Sequence, residues 1–203
     1  MNMQELRDSN GLTEKEFLER YDASKYDRPS VTVDIIIIKD GKVLLIKRGG
    51  HPALGKLAFP GGFSEMTEDV YTSAARELYE ETGLKVCSLR QLRVASKPDR
   101  DPRTRIITVP FLADVSNPEA LKAGDDAMAA SWYKVSRKSI ELNGVTFFEI
   151  TLVGAEERYS FKVSRSFDKN RIIADPIYKM IGDNPMAGDH SEILAYALDE
   201  INF

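Results

Sequence analysis

Apolar positions in this chain follow two periods, and the switch between them marks out the elements. Val31 to Lys39 is rich in β-branched residues, with Ile35-Ile36-Ile37-Ile38 apolar throughout, and predicts a strand. Asp40-Gly41 supplies the positive φ angles of a type I′ turn, and Val43 to Ile46 is the predicted return strand. Upstream, Thr13-Glu14-Lys15-Glu16 reads as a capping box that opens a short helix to about Arg20. A Gly/Pro-rich stretch from Gly49 to Gly62 is interrupted by Leu57-Ala58-Phe59. Over 67–82 the period lengthens. Tyr71, Ala74, Ala75 and Leu78 fall at i, i+3, i+4 and i+7, which predicts a helix with one buried stripe. Strands are predicted at Val86 to Ser96 and Ile106 to Val115, with a shorter one at Ala129 to Val135 around Trp132. Phe147 to Val153 and Tyr159 to Val163 alternate about Gly154-Ala155-Glu156-Glu157, a second hairpin. A last helix is predicted from Ser191 to Ile201, with Ile193, Leu194, Ala197, Leu198 and Ile201 as its stripe. Strands in the middle punctuated by helices give an α+β chain or a layered α/β/α sandwich.

Composition narrows the class. At 203 residues the chain is long enough for one well-buried core with peripheral decoration, and 42% hydrophobic with 30% charged residues is the balance of a globular protein. A net charge of −4 with no Lys/Arg run beyond two residues argues against a dedicated nucleic-acid surface. A small anionic ligand remains compatible, since a few arginines in one cleft override the global sign. Apolar runs such as Ile35 to Ile38 are too short to cross a bilayer, so no membrane partner is expected. Met1-Asn2-Met3-Gln4-Glu5-Leu6 lacks the order of a signal peptide. Cys87 is the single cysteine, which excludes an intrachain disulfide and is expected to be a small apolar filler. These features together predict a cytoplasmic protein.

The predicted helix also carries candidate chemistry. Glu77, Glu80 and Glu81 stand at i, i+3 and i+4 and share one face beside the apolar stripe. Three carboxylates so close repel one another unless positive charge sits among them, and hard divalent cations favour oxygen ligands of this kind. Glu68 is placed on the first turn, near the positive end of the helix dipole. Arg76 is spaced to pair with one of these acids and fix its orientation. Glutamates at helical spacing also make ordinary solvated faces, with Arg76 and Glu80 an ordinary i, i+4 pair. The upstream loop changes that balance. Phe59-Pro60-Gly61-Gly62 lets backbone approach a ligand closely, and a loop carbonyl can complete a metal site begun by the acids.

Taken together, residues 62–84 have Gly62, five residues, Glu68, seven residues, and then Arg76-Glu77-Leu78-Tyr79-Glu80-Glu81-Thr82-Gly83-Leu84. This resembles the Nudix box, with all nine specified positions filled over 23 residues. The resemblance implies a Nudix fold, an α/β/α sandwich with a mixed central sheet, here with an extra C-terminal hairpin and helix. Residues 1–28 would be an N-terminal helical extension and 29–203 the Nudix domain with its C-terminal elaboration. The resemblance also implies roles. Glu77, Glu80 and Glu81 match metal-binding and catalytic glutamates, joined by the carbonyl of Gly61. Arg76 matches the arginine that orients the acids, Glu68 a supporting acid, and Gly62, Gly83 and Leu84 shape-determining positions. The implied cofactor is Mg²⁺, with Mn²⁺ as a substitute, and the implied reaction is attack by an activated water on one phosphorus of a pyrophosphate. Glu77 is one candidate general base, and Glu119, Asp125 or Asp126 is the candidate acid of a later loop.

Substrate evidence lies outside the box. Arg100-Asp101-Pro102-Arg103-Thr104-Arg105 sets Arg100, Arg103 and Arg105 where they could converge on phosphates; a polar loop around a proline turn is the plain alternative. The segment is similar to one in Nudix enzymes acting on ADP-ribose and related nicotinamide-nucleotide metabolites. Tyr26 to Asp34, Gly124-Asp125-Asp126-Ala127 and Trp132 resemble the same branch. ADP-ribose is therefore the leading substrate, cleaved to AMP and ribose 5-phosphate, with another nucleotide sugar or a dinucleotide as alternative. Phe59, Tyr26 and Trp132 are aromatics that could stack on a base, although such residues in strands usually serve the core. His190 could reach the cleft and His51 could touch substrate, although a structural or solvated histidine is the plainer reading of both, with Asp189 as the N-cap of the last helix. The resemblance extends to regulators in which a Nudix domain senses ADP-ribose and precedes a winged-helix DNA-binding domain. About seventy residues follow Trp132, and they lack an evident recognition helix with clustered Lys/Arg; Lys162, Arg165, Lys169 and Arg171 are scattered. A homodimer is expected, and the stretch 139–168 could serve dimerisation or cover the site.

Overall fold

Ile35, Ile36 and Ile37 offer no polar face, so the strand carrying them must be covered on both sides. The computed structural model, which describes residues 6–121, 127–168, 170 and 174–203, meets this constraint with two sheets and a helix on either side. Before the sheets, α1 (Glu14–Arg20) has the expected capping box, with the Thr13 hydroxyl accepting from Glu16 N–H and Glu16 accepting from Thr13 N–H, and it buries no residue. The strand expected from 31 to 39 breaks at Ile37. Its first part, β1 (Ser30–Ile36), and its second, β2 (Ile38–Lys39), pair in different sheets. The type I′ turn holds, with Asp40 at φ 50° and Gly41 at φ 71°, and leads into β3 (Lys42–Arg48).

The smaller sheet is mixed. In it β1 lies between β5 (Gly61–Phe63), which is antiparallel to it, and β7 (Ile106–Val115), which is parallel; β6 (Val86–Gln91) closes the edge. The strand expected to run to Ser96 thus ends at Gln91. The larger sheet is antiparallel, running from β2 through β3 to β8 (Ala127–Leu142), β9 (Val145–Val153), β10 (Arg158–Ser166) and β11 (Ile177–Ile181), with β4 (Leu57–Ala58) also paired to β3. Alternation around Trp132 predicted only half of β8. The strand continues to a second type I′-like turn, where Asn143 and Gly144 adopt φ 52° and 74°.

α2 (Val70–Thr82) starts three residues later than its period suggested, because Asp69 caps it by accepting from Thr72 N–H at 2.8 Å. Glu68 therefore precedes the helix instead of sitting on its first turn. Ser73, Ala74, Leu78 and Thr82 form the buried face, and Tyr71 is half exposed, its ring edge against Phe111. Gly83, at φ 69°, ends the helix with its N–H on the Tyr79 carbonyl. α2 covers one cluster, built from Val33, Ile35, Ile37, Leu44, Leu78 and Phe111 among others. α3 (His190–Glu200) covers the second, where Ile36, Val43 and Leu45 meet Ile150, Leu194 and Leu198. Neighbouring residues of β1 and β3 thus enter opposite cores, the layered arrangement expected. Ile201, assigned to the α3 stripe, lies past its end and is 38% exposed. Cys87 is exposed too, not a filler. No helix among the described residues is long and apolar enough to cross a membrane.

Asp199 ties the C-terminal helix to three residues of the larger sheet. Asp199 accepts from Arg137 and Arg165, the latter at 2.8 Å, and from the Tyr178 hydroxyl. Removing that acid strands two arginines in a largely buried setting. Asp199→Ala is expected to cost about 3 kcal/mol, read as a lowered urea midpoint; an unchanged midpoint would show that the cluster is not what docks α3.

Candidate active site

Two glycines bring the loop after β4 against α2. The Gly61 N–H donates to Glu81 Oε2 at 2.9 Å, and the preceding carbonyl, of Pro60, accepts from Ile35 N–H at 2.8 Å. A Cβ on Gly61 would collide with the Val33 carbonyl oxygen, and one on Gly62 would collide with the Glu77 carboxylate. Both positions need glycine for close approach. Box spacing along α2 then decides which acids meet the loop. Glu77 and Glu81 face it, whereas Glu80 is 56% exposed and held by Arg76 at 3.1 Å.

Arg76 is the hub of this cluster. It donates to Glu68, to Glu77 Oε1 at 2.8 Å, to Glu80 and to the Phe63 carbonyl at 3.1 Å. The Arg76 hydrogen bonds hold the Glu68 carboxyl down at about 2, helped by the Glu65 N–H. Glu77 and Glu81 shift the other way. Burial raises Glu77, against the pull of Arg76. Burial also pushes Glu81 up to about 7, opposed by the Gly61 N–H and reinforced by the negative charges of Glu77 and Asp34.

This donor set suits a hard divalent cation. Two half-buried carboxylates lie beside a glycine backbone, and both are raised by desolvation that a bound cation would offset. Among the described residues no three acidic, histidine or cysteine side chains gather into a metal-binding group by themselves. Small hard cations do not require such a cage, because they keep several waters and share their sphere with substrate phosphates.

The loop borders a cleft of about 500 Å³ whose wall includes Gly61, Gly62, Arg48, Lys56, Arg100 and Arg103. The three arginines expected to converge do not. Arg100 is 6% exposed and forms a two-point bond with Asp189, at 2.8 and 3.1 Å. Arg103 pairs with Asp101 and lies over the Phe63 ring, 5.4 Å from its centroid. Arg105 turns away from the cleft and donates to the Lys97 carbonyl. Asp189 holds the N-cap position of α3 but spends its side chain on Arg100 instead of capping. Phe59 is 1% exposed and stacked on His190, so no face remains for a base. Glu119 and Trp132 line a different cavity, beside Lys39 and Lys42, which shares no residue with the cleft. Tyr26 and His51 are exposed, and neither lines the cleft. Asp125 and Asp126 lie outside the described residues.

Asp34, Arg48, Lys56 and Phe63 line the cleft without a role foreseen from the sequence. Asp34 is 7% exposed, accepts from the Thr108 hydroxyl at 2.6 Å and faces His190 Nε2 at 3.4 Å. Its signal was available: a carboxylate between Val33 and Ile35 in an apolar strand must be buried with partners. Arg48 and Lys56 flank the pre-box loop and carry no such mark; only the folding of that loop brings them to the cleft.

The chain is similar to several known proteins. A model of the NUDIX domain matches residues 28–143. The ADP-ribose pyrophosphatase of Methanocaldococcus jannaschii is 48% identical over 127 residues, covering 60% of this chain and 73% of that protein. The ADPR responsive transcriptional repressor NtrR of Acinetobacter baylyi is 36% identical over 110 residues, 51% of this chain and 44% of the repressor. A MutT/nudix family protein from Enterococcus faecalis superposes with a TM-score of 0.70 at 31% identity, over 94% of this chain and 70% of that one. The NUDIX domain of Shewanella oneidensis NrtR, solved with ADP ribose, gives 0.54 at 29% identity, over 60% of this chain and 82% of the domain.

Two outcomes follow from the packing and the charge. Gly62→Ala displaces the far end of one side chain, Glu77, so the protein should stay folded while its affinity for Mn²⁺ falls about tenfold or more. Gly61→Ala meets backbone instead and should lower the thermal midpoint as well. The second outcome concerns pH. With Glu81 at about 7 against an ordinary 4.5, the metal-free fold gains a proton there on folding, so its stability falls as pH rises from 4.5 to 7. A cation needs the ionised carboxylate, so Mn²⁺ should bind more tightly at pH 8 than at pH 6 and release a proton. Calorimetry in buffers of different ionisation enthalpy reads both quantities; equal affinities at the two values would remove Glu81 from the ligand set.

Proposed function

The chain belongs to the Nudix family, and on that premise we propose that it hydrolyses ADP-ribose to AMP and ribose 5-phosphate with Mg²⁺ as its cation. Nudix hydrolases generally use divalent metal ions. One observation carries the reading: Glu77 and Glu81 meet the Gly61–Gly62 backbone at the edge of a cleft whose wall carries Arg48, Lys56, Arg100 and Arg103. Carboxylates for the cation and guanidinium groups for phosphate thus stand side by side. The likeness to the pyrophosphatase of M. jannaschii and to a domain solved with ADP ribose supplies the substrate.

The geometry supports a role for each residue. Glu77 and Glu81, with the Gly61 carbonyl, would hold the cation, and Arg76 keeps Glu77 turned toward the loop. When bound, the cation neutralises charge on the diphosphate and acidifies a water for attack on phosphorus. The new bond joins water oxygen to phosphorus, and the bond from that phosphorus to the bridging oxygen breaks. Arg48 and Lys56 would bind the phosphates, and Arg100 and Arg103, held by Asp189 and Asp101, would set the field of the cleft. Phe63 is 45% exposed at the cleft and offers a base the aromatic face that buried Phe59 cannot.

Likeness to NtrR favours a sensing domain as the second reading. Beyond residue 143, however, the described residues form three strands and one helix, with no basic recognition helix. The filled box also supports catalysis over sensing.

Purified protein with Mg²⁺ is expected to release AMP from ADP-ribose. Glu81→Gln should lower kcat by roughly a thousandfold, in line with the several kcal/mol a metal contributes, while ADP-ribose still binds. Wild-type protein that binds ADP-ribose without releasing AMP would favour the sensor instead.

A further inference from the structure

The C-terminal segment reaches into the site through three consecutive anchors on the pre-box loop. Leu57 N–H donates to the Pro185 carbonyl at 3.1 Å, and Ala187 N–H donates to the Leu57 carbonyl at 2.8 Å. Residues 185–187 thus run beside β4 as an extra bridge. Two residues further along the loop the partner is no longer backbone. Phe59 N–H is buried, and it donates to His190 Nδ1 at 3.1 Å. The imidazole also stacks on the Phe59 ring, with centroids 5.1 Å apart and planes 14° apart. Because Nδ1 is an acceptor, the neutral ring carries its proton on Nε2, which faces Asp34 Oδ1 at 3.4 Å. His190 is itself 9% exposed and begins α3, whose apolar face is locked in the second core.

Phe59 stands two residues before Gly61, the residue whose N–H holds Glu81. Pro60 lies between them, and its carbonyl is taken by Ile35. The loop is therefore held on one side by β1, on the other by α3, and its glycine is pressed onto α2.

We propose that His190 is a positioning residue for the metal site, acting through Phe59 to set where Gly61 meets Glu81. This inference rests on the metal-site reading above. His190 supplies the acceptor that keeps the Phe59–Gly61 backbone in register with α2. Asp34 orients it by facing Nε2. The segment that follows the family match at residue 143 thereby becomes part of the site.

The test compares His190→Leu, which removes the acceptor, with His190→Asn, whose amide oxygen can stand where Nδ1 stands. The full chain is titrated with Mn²⁺ alone, read by electron paramagnetic resonance, and the Gly61 amide is followed by NMR in metal-free protein. His190→Leu should weaken Mn²⁺ binding about tenfold and shift the Gly61 amide, with His190→Asn restoring most of both. With ADP-ribose, kcat should fall in His190→Leu while KM changes little. Loss of thermal stability in both variants with Mn²⁺ affinity unchanged would overturn the proposal, and so would His190→Asn as impaired in Mn²⁺ binding as His190→Leu. If His190→Leu does not fold, the affinity and Gly61 amide of His190→Asn decide alone: wild-type values support it, loss overturns it. The Mn²⁺ and amide readings do not depend on substrate. A wild-type protein inactive on ADP-ribose sinks the proposed reaction and leaves this inference standing or falling by itself.

Discussion

The hydrogen bond from the Gly61 N–H to Glu81 sets how closely the segment of one sheet approaches the helix on its face. Nearly everything else at the site depends on that approach. It requires glycine at 61 because the Val33 carbonyl leaves no room for a Cβ, and glycine at 62 because Glu77 leaves none either. It also requires a buried carboxylate, and burial is costly for charge unless something offsets it. Here the offset in the protein itself is small: one N–H and the more distant Arg48 act against desolvation and two negative neighbours. A carboxylate left in that condition invites a cation, which is what this chemistry needs.

The two-sided burial of β1 and β3 makes such an approach possible. Val33 and Ile35 enter the α2 core while Ile36 enters the α3 core, so β1 is pinned from both faces. Asp34 stands between them. A rigid strand is the reference against which the pre-box loop is placed, through Ile35 and Pro60. Switching sheets at Ile37 then lets one continuous apolar run serve the mixed sheet and the antiparallel one. The two cores meet along this strand, and the cleft opens beside it.

Arginine competition shapes the remaining chemistry. Arg76 satisfies Glu68, Glu77 and Glu80 at once, which withdraws Glu80 from the loop and leaves Glu77 and Glu81 as the acids that face it. Arg100 is withdrawn in the same way by Asp189. Bidentate pairs of this kind form wherever packing brings a carboxylate within reach of the fork, so a guanidinium count in sequence overstates what is free to bind phosphate. Arg48 and Lys56 show the converse, as cations without a motif that the loop fold carries to the cleft.

By itself the sequence determined the box, the helix carrying it, the Asp40-Gly41 turn and the layered class, because these rest on short-range spacing. Residues three and four apart on a helix share a face in any context. A positive-φ dipeptide makes a tight turn wherever it stands. Only the tertiary structure decided which of three glutamates meet the loop, that Phe59 is core, that Arg105 turns away, and that His190 and Asp34 border the site. Those outcomes depend on tertiary contacts outside any local period, from Gly61 with Glu81, 20 positions apart, to Phe59 with His190, 131 apart. Hydrophobic period predicts that α3 is buried, but not that its first residue falls under the pre-box loop. That placement follows from how the second core packs, and packing is a property of the whole chain.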